Sequence, residues 1–140
     1  MEFFLTKPIH ISLDAMGGDY APDIIINGAA QAKLRYPNLF FSFFGDQTKL
    51  NPLIKALNLS SFSNVIHTNE VINSSDKPST ALRKGKKSSM AMSIQLVKSG
   101  KADAIVSAGN TGALMAMSKL ILRPIDGIIR PAIAAYFPTI

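Results

Sequence analysis

A glycine-rich segment, SAGNTG at residues 107–112, combines residue types that can bind an anion. Gly109 can adopt backbone angles that are closed to other residues, and Gly112 lets a ligand approach the main chain closely. Asn110 and Thr111 add side-chain hydrogen-bonding groups. If a helix begins here, its free N–H groups and the positive end of its dipole form a site for phosphate or another oxyanion. The alternative is a turn that only connects a strand to a helix, which is common for such segments.

A second segment, DAMGGD at residues 14–19, places two aspartates around a glycine pair. Asp14 and Asp19 have the chemistry to bind a cation, act as a base or orient another group; alternatively, they are loop and helix-capping residues. Neither segment is a standard nucleotide motif, because 107–112 lacks the lysine of a P-loop and 14–19 lacks the GxGxxG spacing of a dinucleotide site. The sequence therefore disfavours a Rossmann-type oxidoreductase.

Positive charge is concentrated in the second half of the chain. Residues 1–78 contain six Lys or Arg and seven Asp or Glu, whereas residues 79–140 contain nine and two. Four of these cations lie in the segment ALRKGKKSSM at 81–90, just before a predicted helix start. The skew suits an anionic partner such as phosphate, an acidic protein or lipid; the alternative is a solvated basic surface. Only Tyr136 and Phe137 are aromatic in this half, so binding of nucleic acid by base stacking is not supported.

The composition is that of a globular domain. The chain has 140 residues, of which 47% are hydrophobic and 17% charged, and this length suffices for one domain with a buried core. It contains no cysteine, which excludes disulfides, thiolate metal sites and a cysteine nucleophile. The first residues, MEFFLTKP, lack the features of a secretion signal, and no window reaches the roughly 18 apolar residues of a membrane span. We therefore expect one cytoplasmic domain.

Hydrophobic patterning predicts strands that alternate with helices. Strands are predicted at 9–13, 39–46, 64–68 and 102–109, with a fifth beginning near 132. Helices are predicted at 22–36, 50–57, 79–99 with a break at Gly85, and 112–122. The last helix is apolar on nearly every side, which predicts that it is buried. The alternation predicts an α/β fold with a mostly parallel sheet and helices on both faces, and ligands bind beyond the carboxyl ends of such strands.

Three segments in this order, LDAMGGDYAP, LRKGKKSSM and SAGNTGALMAMSKLILRPIDGIIRPA, resemble the PlsX family of bacterial phosphate acyltransferases. The resemblance extends from Ile9 to Phe137. It implies a three-layer α/β/α sandwich, similar to phosphate acetyltransferases and to the isocitrate/isopropylmalate dehydrogenases. It also implies a reaction of long-chain acyl-[acyl carrier protein] with inorganic phosphate that gives acyl phosphate for phospholipid biosynthesis. No cofactor or metal ion is expected, and the family's members are homodimers associated peripherally with the cytoplasmic membrane.

The same resemblance implies which residues form the site. Asn110, Thr111 and Asp14 are expected to be catalytic. Binding of phosphate or substrate is expected of Ser107, Gly109, Gly112, Gly17, Gly18, Asp19, Arg83 and Ser88, the last two to help hold phosphate or the phosphopantetheine of the carrier protein. The implied reaction needs no protein nucleophile, because a phosphate oxygen attacks the thioester directly.

Members of this family are more than twice as long as the chain, so residues 1–140 are expected to be one α/β domain that corresponds to the N-terminal part of the family fold. Two other functions stay open. In the first, the chain is an inactive fragment, or one chain of a split enzyme, that binds acyl carrier protein or phosphate without turnover. Alternatively, it belongs to a related phosphate acyltransferase that takes its acyl group from coenzyme A.

Overall fold

A computed structural model describes residues 7–138 of the chain. Strands and helices alternate in it, in the order β1 (Ile9–Asp14), α1 (Asp23–Arg35), β2 (Leu39–Gly45), α2 (Gln47–Ala56), a 3-10 turn (Ser60–Phe62), β3 (Ser63–His67), α3 (Pro78–Lys84), α4 (Ser89–Lys98), β4 (Ala104–Ser107) and α5 (Thr111–Ile121). The four strands form one parallel sheet in the order β3-β2-β1-β4. Helices flank this sheet, which confirms the predicted α/β fold and agrees with a three-layer α/β/α sandwich.

Strand β1 separates two chemically different faces of the sheet. Ile11 and Leu13 point to the apolar core formed with α1 and α2. Ser12 and Asp14, which alternate with them, point to the opposite face, where Ser12 Oγ donates a hydrogen bond of 2.9 Å to the carbonyl oxygen of Ser93 on α4. Successive side chains of a strand point to opposite sides. The predicted alternation in β1 therefore places a polar row beneath α4.

Strand β2 confirms the interpretation of its apolar run as a strand that is covered on both faces. Its last five residues are buried, including Phe43, which is completely buried. A second apolar cluster lies between α3, α4 and α5, with Met90, Ile94 and Met117 at its centre. The predicted break at Gly85 is also confirmed, because it separates α3 from α4.

The predicted burial of the 112–122 helix is wrong. In α5, only Ala113 and Met117 are buried, and Leu120 is 62% exposed. The helix contacts α3 and α4 along one side. Apolar residues around a helix favour burial, but burial also needs an element that covers the second side, and none lies there in the described part of the chain.

The predicted fifth strand is wrong within the residues that the structure describes, because 131–138 have no regular secondary structure. An apolar composition suits a strand, but a strand also needs a neighbour for its main-chain hydrogen bonds.

Strand β4 is shorter than predicted and forms one edge of the sheet. Beside it, α1 and β1 border an apolar groove of about 370 Å³ that reaches Val106, whose side chain is 53% exposed. In residues 7–138 no helix combines the length and hydropathy needed to span a bilayer.

Candidate functional site

The two glycine-rich segments meet at the carboxyl edge of the sheet. Strands β1 and β4 are parallel neighbours, and their last residues, Asp14 and Ser107, are paired in register. The chain therefore leaves both strands at the same level and on the same edge. This position is the one that the sequence predicts for the ligand site of a parallel α/β sheet.

The Asp14 carboxylate joins three elements below these loops. Its side chain is buried, with 1% exposure. Its Oδ1 accepts a hydrogen bond of 2.6 Å from Ser89 Oγ at the start of α4, and its Oδ2 accepts one of 2.8 Å from Ser107 Oγ at the end of β4. Ser107 Oγ in turn accepts a hydrogen bond of 3.1 Å from the N–H of Gly109. A buried carboxylate needs such donors, because it has lost its hydration.

The glycines bring the two loops into direct main-chain contact. A Cβ at Gly17 would lie 2.5 Å from Asp14 Oδ2, and a Cβ at Gly109 would lie 3.2 Å from the Cα of Gly17. Gly18 has a φ of +102°, and a Cβ there would lie 2.8 Å from the carbonyl oxygen of Ala108. Side chains at these positions would separate the loops. Their glycines therefore allow close packing around Asp14, in addition to any approach by a ligand.

Asn110 fixes the start of α5. Its Oδ1 caps the helix by accepting a hydrogen bond of 3.0 Å from the N–H of Ala113. Its Nδ2 shares two protons among three carbonyl oxygens of the loop between β3 and α3, those of Asn73, Ser74 and Asp76, at 3.2, 3.1 and 2.8 Å. The side chain thus ties the loop that precedes α3 to the N-terminus of α5.

These contacts shape a cleft of about 340 Å³ at the carboxyl edge. It is lined by Gly18, Asp19, Gly109 and Asn110, which the sequence predicts, and by Met16, Val71, Ile72, Asn73, Ser74 and Ala108, which it does not. The missed residues at 71–74 belong to the long connection after β3. The polar segment NSSDKPS indicated a loop there, but nothing in its pattern indicated that the loop crosses to α5.

The remaining predicted site residues do not line this cleft. Thr111 is the exposed first residue of α5, and a Cβ at Gly112 would lie 3.1 Å from Pro78 Cγ at the start of α3. Arg83 is exposed on α3 and does not line the cleft. Ser88 is buried: its Oγ caps α4 by accepting from Ala91 N–H at 3.2 Å and donates to Gly85 O at 2.6 Å. Among the described residues, no cluster of three His, Cys, Asp or Glu has the geometry to hold a metal ion.

Substitution Gly17→Ala tests the close packing of the loops. We expect it to lower the free energy of unfolding by about 1–3 kcal/mol, because its methyl group overlaps Asp14 Oδ2. Gly28→Ala on α1 is the matched control, since its Cβ would have no atom within 4 Å; we expect it to raise stability by about 0.5–1 kcal/mol. Urea unfolding measures both. Equal effects of the two substitutions would contradict the packing described for the loops.

Substitution Asn110→Asp separates the two tasks of Asn110. Asp keeps an oxygen for the helix cap, but it has no donor and brings a charged oxygen close to three carbonyl oxygens. We expect the free energy of unfolding to fall by about 1–3 kcal/mol at neutral pH. Asn27→Asp supplies the control, because it makes the same change at an exposed position with one side-chain bond, to Asp23 O. If chemical denaturation shows no larger loss for Asn110→Asp than for the control, the three carbonyl contacts do not stabilise the loop.

Comparison with known proteins shows the family to which the chain belongs. The family model described as fatty acid synthesis protein matches residues 9–140. A phosphate acyltransferase of Azorhizobium caulinodans is 50% identical over 138 residues, covering 97% of this chain and 39% of that protein. Those of Parvibaculum lavamentivorans and Rhodospirillum rubrum are 50% and 47% identical over 137 residues, with 38% and 39% of their lengths covered. The chain thus spans about two fifths of the length of these curated relatives. It belongs to the fatty acid synthesis protein family, the PlsX family that its motifs resemble.

Proposed function

We propose that the chain supplies the phosphate-binding part of a phosphate acyltransferase. The whole enzyme converts long-chain acyl-[acyl carrier protein] and inorganic phosphate into acyl phosphate for phospholipid biosynthesis. The proposal is supported by the relatives, which are named phosphate acyltransferases, and by the position of the two glycine-rich segments beside one cleft.

The observation that carries the proposal is the start of α5. Asn110 accepts hydrogen bonds from the N–H groups of Ala113 and Leu114, through its side chain and its carbonyl oxygen. Within residues 7–138, no protein group accepts the N–H of Thr111 or Gly112. Two free amides at the positive end of a helix dipole are suitable donors for phosphate oxygens.

The chemistry needs a positioned phosphate more than a protein nucleophile. A phosphate oxygen attacks the thioester carbonyl carbon, a C–O bond forms, and the C–S bond breaks. The proton of hydrogen phosphate passes to the leaving thiolate, so that the products are acyl phosphate and the free thiol of the carrier. Amides that hold phosphate next to the thioester lower the barrier by orientation, and donors aimed at the carbonyl oxygen stabilise the developing oxyanion.

Within this proposal, the predicted residues have different tasks. Thr111 presents its amide and its exposed hydroxyl to phosphate. Asn110 contributes through the loop that it holds, because its side-chain amide is already engaged with three carbonyl groups. Gly18 and Asp19 line the cleft wall. Arg83 is an exposed cation on α3 that suits the carrier protein or its phosphopantetheine.

The partners of the whole enzyme are further parts of the proposal. The net charge of +7 in residues 79–140 suits an acidic carrier protein and an anionic membrane surface. We propose a cytoplasmic homodimer that contacts the membrane peripherally, as the family resemblance implies. Because the chain spans about two fifths of its relatives' length, we assign the rest of the active site and the dimer contacts to the remaining three fifths.

One alternative is that the chain binds acyl carrier protein or phosphate without turnover, as a fragment or as one chain of a split enzyme. A coenzyme A thioester as acyl donor is the other alternative, which keeps the phosphate site and changes the carrier.

A turnover assay separates these functions. The chain is incubated with phosphate and either acyl-[acyl carrier protein] or acyl-coenzyme A, and acyl phosphate is trapped as a hydroxamate. We expect phosphate-dependent hydroxamate from a full-length relative with the carrier-protein donor, and little from the chain alone, because the chain supplies only the phosphate-binding part of the proposed enzyme. If a full-length relative gives hydroxamate and this chain gives none, the chain alone is not an enzyme. Calorimetric titration with acyl carrier protein then decides whether it is a binding module.

Substitution Thr111→Pro tests the phosphate site itself. Proline is favoured at the first position of a helix and removes only an N–H that the helix does not use. The extended backbone of Asn110, with φ −63° and ψ 111°, also accommodates a following proline. We expect the fold to be retained and phosphate affinity to fall about tenfold or more, since a hydrogen bond to a charged group contributes about 1.5–3 kcal/mol.

The measurement is an NMR titration of the chain with inorganic phosphate, with Thr111→Ala as the matched control. This control loses the hydroxyl but keeps the amide, so we expect a smaller loss of affinity. Unchanged phosphate affinity in Thr111→Pro would exclude this amide as a ligand. Absence of any saturable phosphate response in the unaltered chain would overturn the assignment of a phosphate site to these residues.

A further inference from the structure

Asp14 and Ser89 form a buried pair whose partners lead to both sides of the cleft. Ser89 is the first residue of α4, lies 75 residues from Asp14 in the sequence, and is 1% exposed. Its Oγ donates to the Asp14 carboxylate at 2.6 Å, and its own N–H donates to the carbonyl oxygen of Glu70 at 2.9 Å. Through its side chain it therefore contacts the end of β1, and through its main chain it contacts the segment that leads into the 71–74 wall.

The direction of the hydrogen bonds is fixed by chemistry. An ionised carboxylate only accepts, so Ser89 and Ser107 each give their single hydroxyl proton to Asp14. With its proton engaged, Ser107 Oγ is left with lone pairs, and one of them accepts the N–H of Gly109. The order of donation runs from Gly109 to Ser107 and on to Asp14. In this arrangement Ser107 is not a donor for phosphate.

The start of α4 is also a favourable position for the negative charge of Asp14. Asp14 contacts the first residue of this helix, where the helix dipole favours an anion. The carboxylate is enclosed by the loops that Gly17 and Gly109 bring together, so it has no route to a ligand in the cleft. It can therefore influence a ligand without touching it, through the groups that it holds.

We propose that Asp14 and Ser89 are positioning residues for the cleft. They hold Ser107, and through it the Gly109 loop, in the geometry that presents the α5 amides to phosphate. That the α5 amides bind phosphate rests on the proposed function, whereas the positioning of the Gly109 loop does not. For Asp14, this replaces direct catalysis with action through Ser107. For Ser89, it adds a site role to a residue of the LRKGKKSSM segment that was not predicted as a site residue.

The experiment compares Ser89→Ala with Ser93→Ala in the 140-residue chain. Ser93 is the matched control because it is completely buried one turn later on α4, and its hydroxyl donates to Ser89 O at 2.7 Å and makes no hydrogen bond to Asp14. The first measurement needs no ligand: amide hydrogen exchange at Gly109, referenced to the slowest-exchanging amides of β2. We expect exchange at Gly109 to be about tenfold faster in Ser89→Ala, beyond any change in the β2 reference, and unchanged relative to that reference in Ser93→Ala.

The second measurement is the NMR titration with inorganic phosphate. We expect about tenfold weaker binding in Ser89→Ala and near-normal binding in Ser93→Ala. If Ser89→Ala does not fold, two other substitutions take its place. Ser89→Thr keeps the hydroxyl, and we expect it to preserve slow exchange at Gly109. Asp14→Asn replaces one accepting oxygen with a donor, and we expect it to abolish slow exchange there.

The outcomes separate the two proposals. Faster exchange at Gly109 together with no phosphate binding by the unaltered chain would support the positioning role and overturn the phosphate site. Phosphate binding by the unaltered chain with equal Gly109 exchange in Ser89→Ala and Ser93→Ala would overturn the positioning role and leave the phosphate site standing.

Discussion

The buried carboxylate of Asp14 joins the elements that meet at the carboxyl ends of β1 and β4. A charged group that is 1% exposed at the end of a central strand requires donors, and Ser89 and Ser107 provide one for each of its oxygens. These two serines belong to different elements, so their hydrogen bonds to one carboxylate also fix how the start of α4 and the end of β4 lie against β1. The polar face of β1 makes this possible, because alternation sends Ser12 and Asp14 towards α4 while the apolar residues of β1 build the other core.

The glycines and Asn110 complete the same construction at the level of the main chain. Glycine at 17, 18 and 109 removes the side chains that would hold the loops apart. The side-chain nitrogen of Asn110 donates to carbonyl groups of the neighbouring loop, and its side-chain oxygen accepts the hydrogen bond of the helix cap. The polar groups of the site are therefore mostly committed to one another. In the part of the chain that the structure describes, the amides of Thr111 and Gly112 are among the groups that stay available to a ligand.

Much of this arrangement follows from local patterns in the sequence. Period-two alternation identified β1, a continuous apolar run identified the covered strand β2, and the rule for parallel sheets placed both glycine-rich segments at one edge. The role of Ser89 could not be predicted, because its partner is 75 residues away and the contact depends on how α4 lies on the sheet. The same holds for the amide of Asn110, since a capping pattern specifies the oxygen and not the partner of the nitrogen. Burial of α5 and pairing of residues 131–138 were predicted wrongly because composition does not supply the neighbouring element.

The open edge at β4 has a consequence for the behaviour of the chain in solution. An unpaired strand edge is a template for strand addition, and here it adjoins an apolar groove and an exposed Val106. Strand addition at β4 depends on protein concentration, so dilution series, light scattering and added salt report on this side of the sheet. Ligand-dependent signals report on the carboxyl ends of the strands. The β4 edge and the carboxyl ends of the strands are different parts of the sheet, so strand addition at the one and ligand binding at the other can be tested separately.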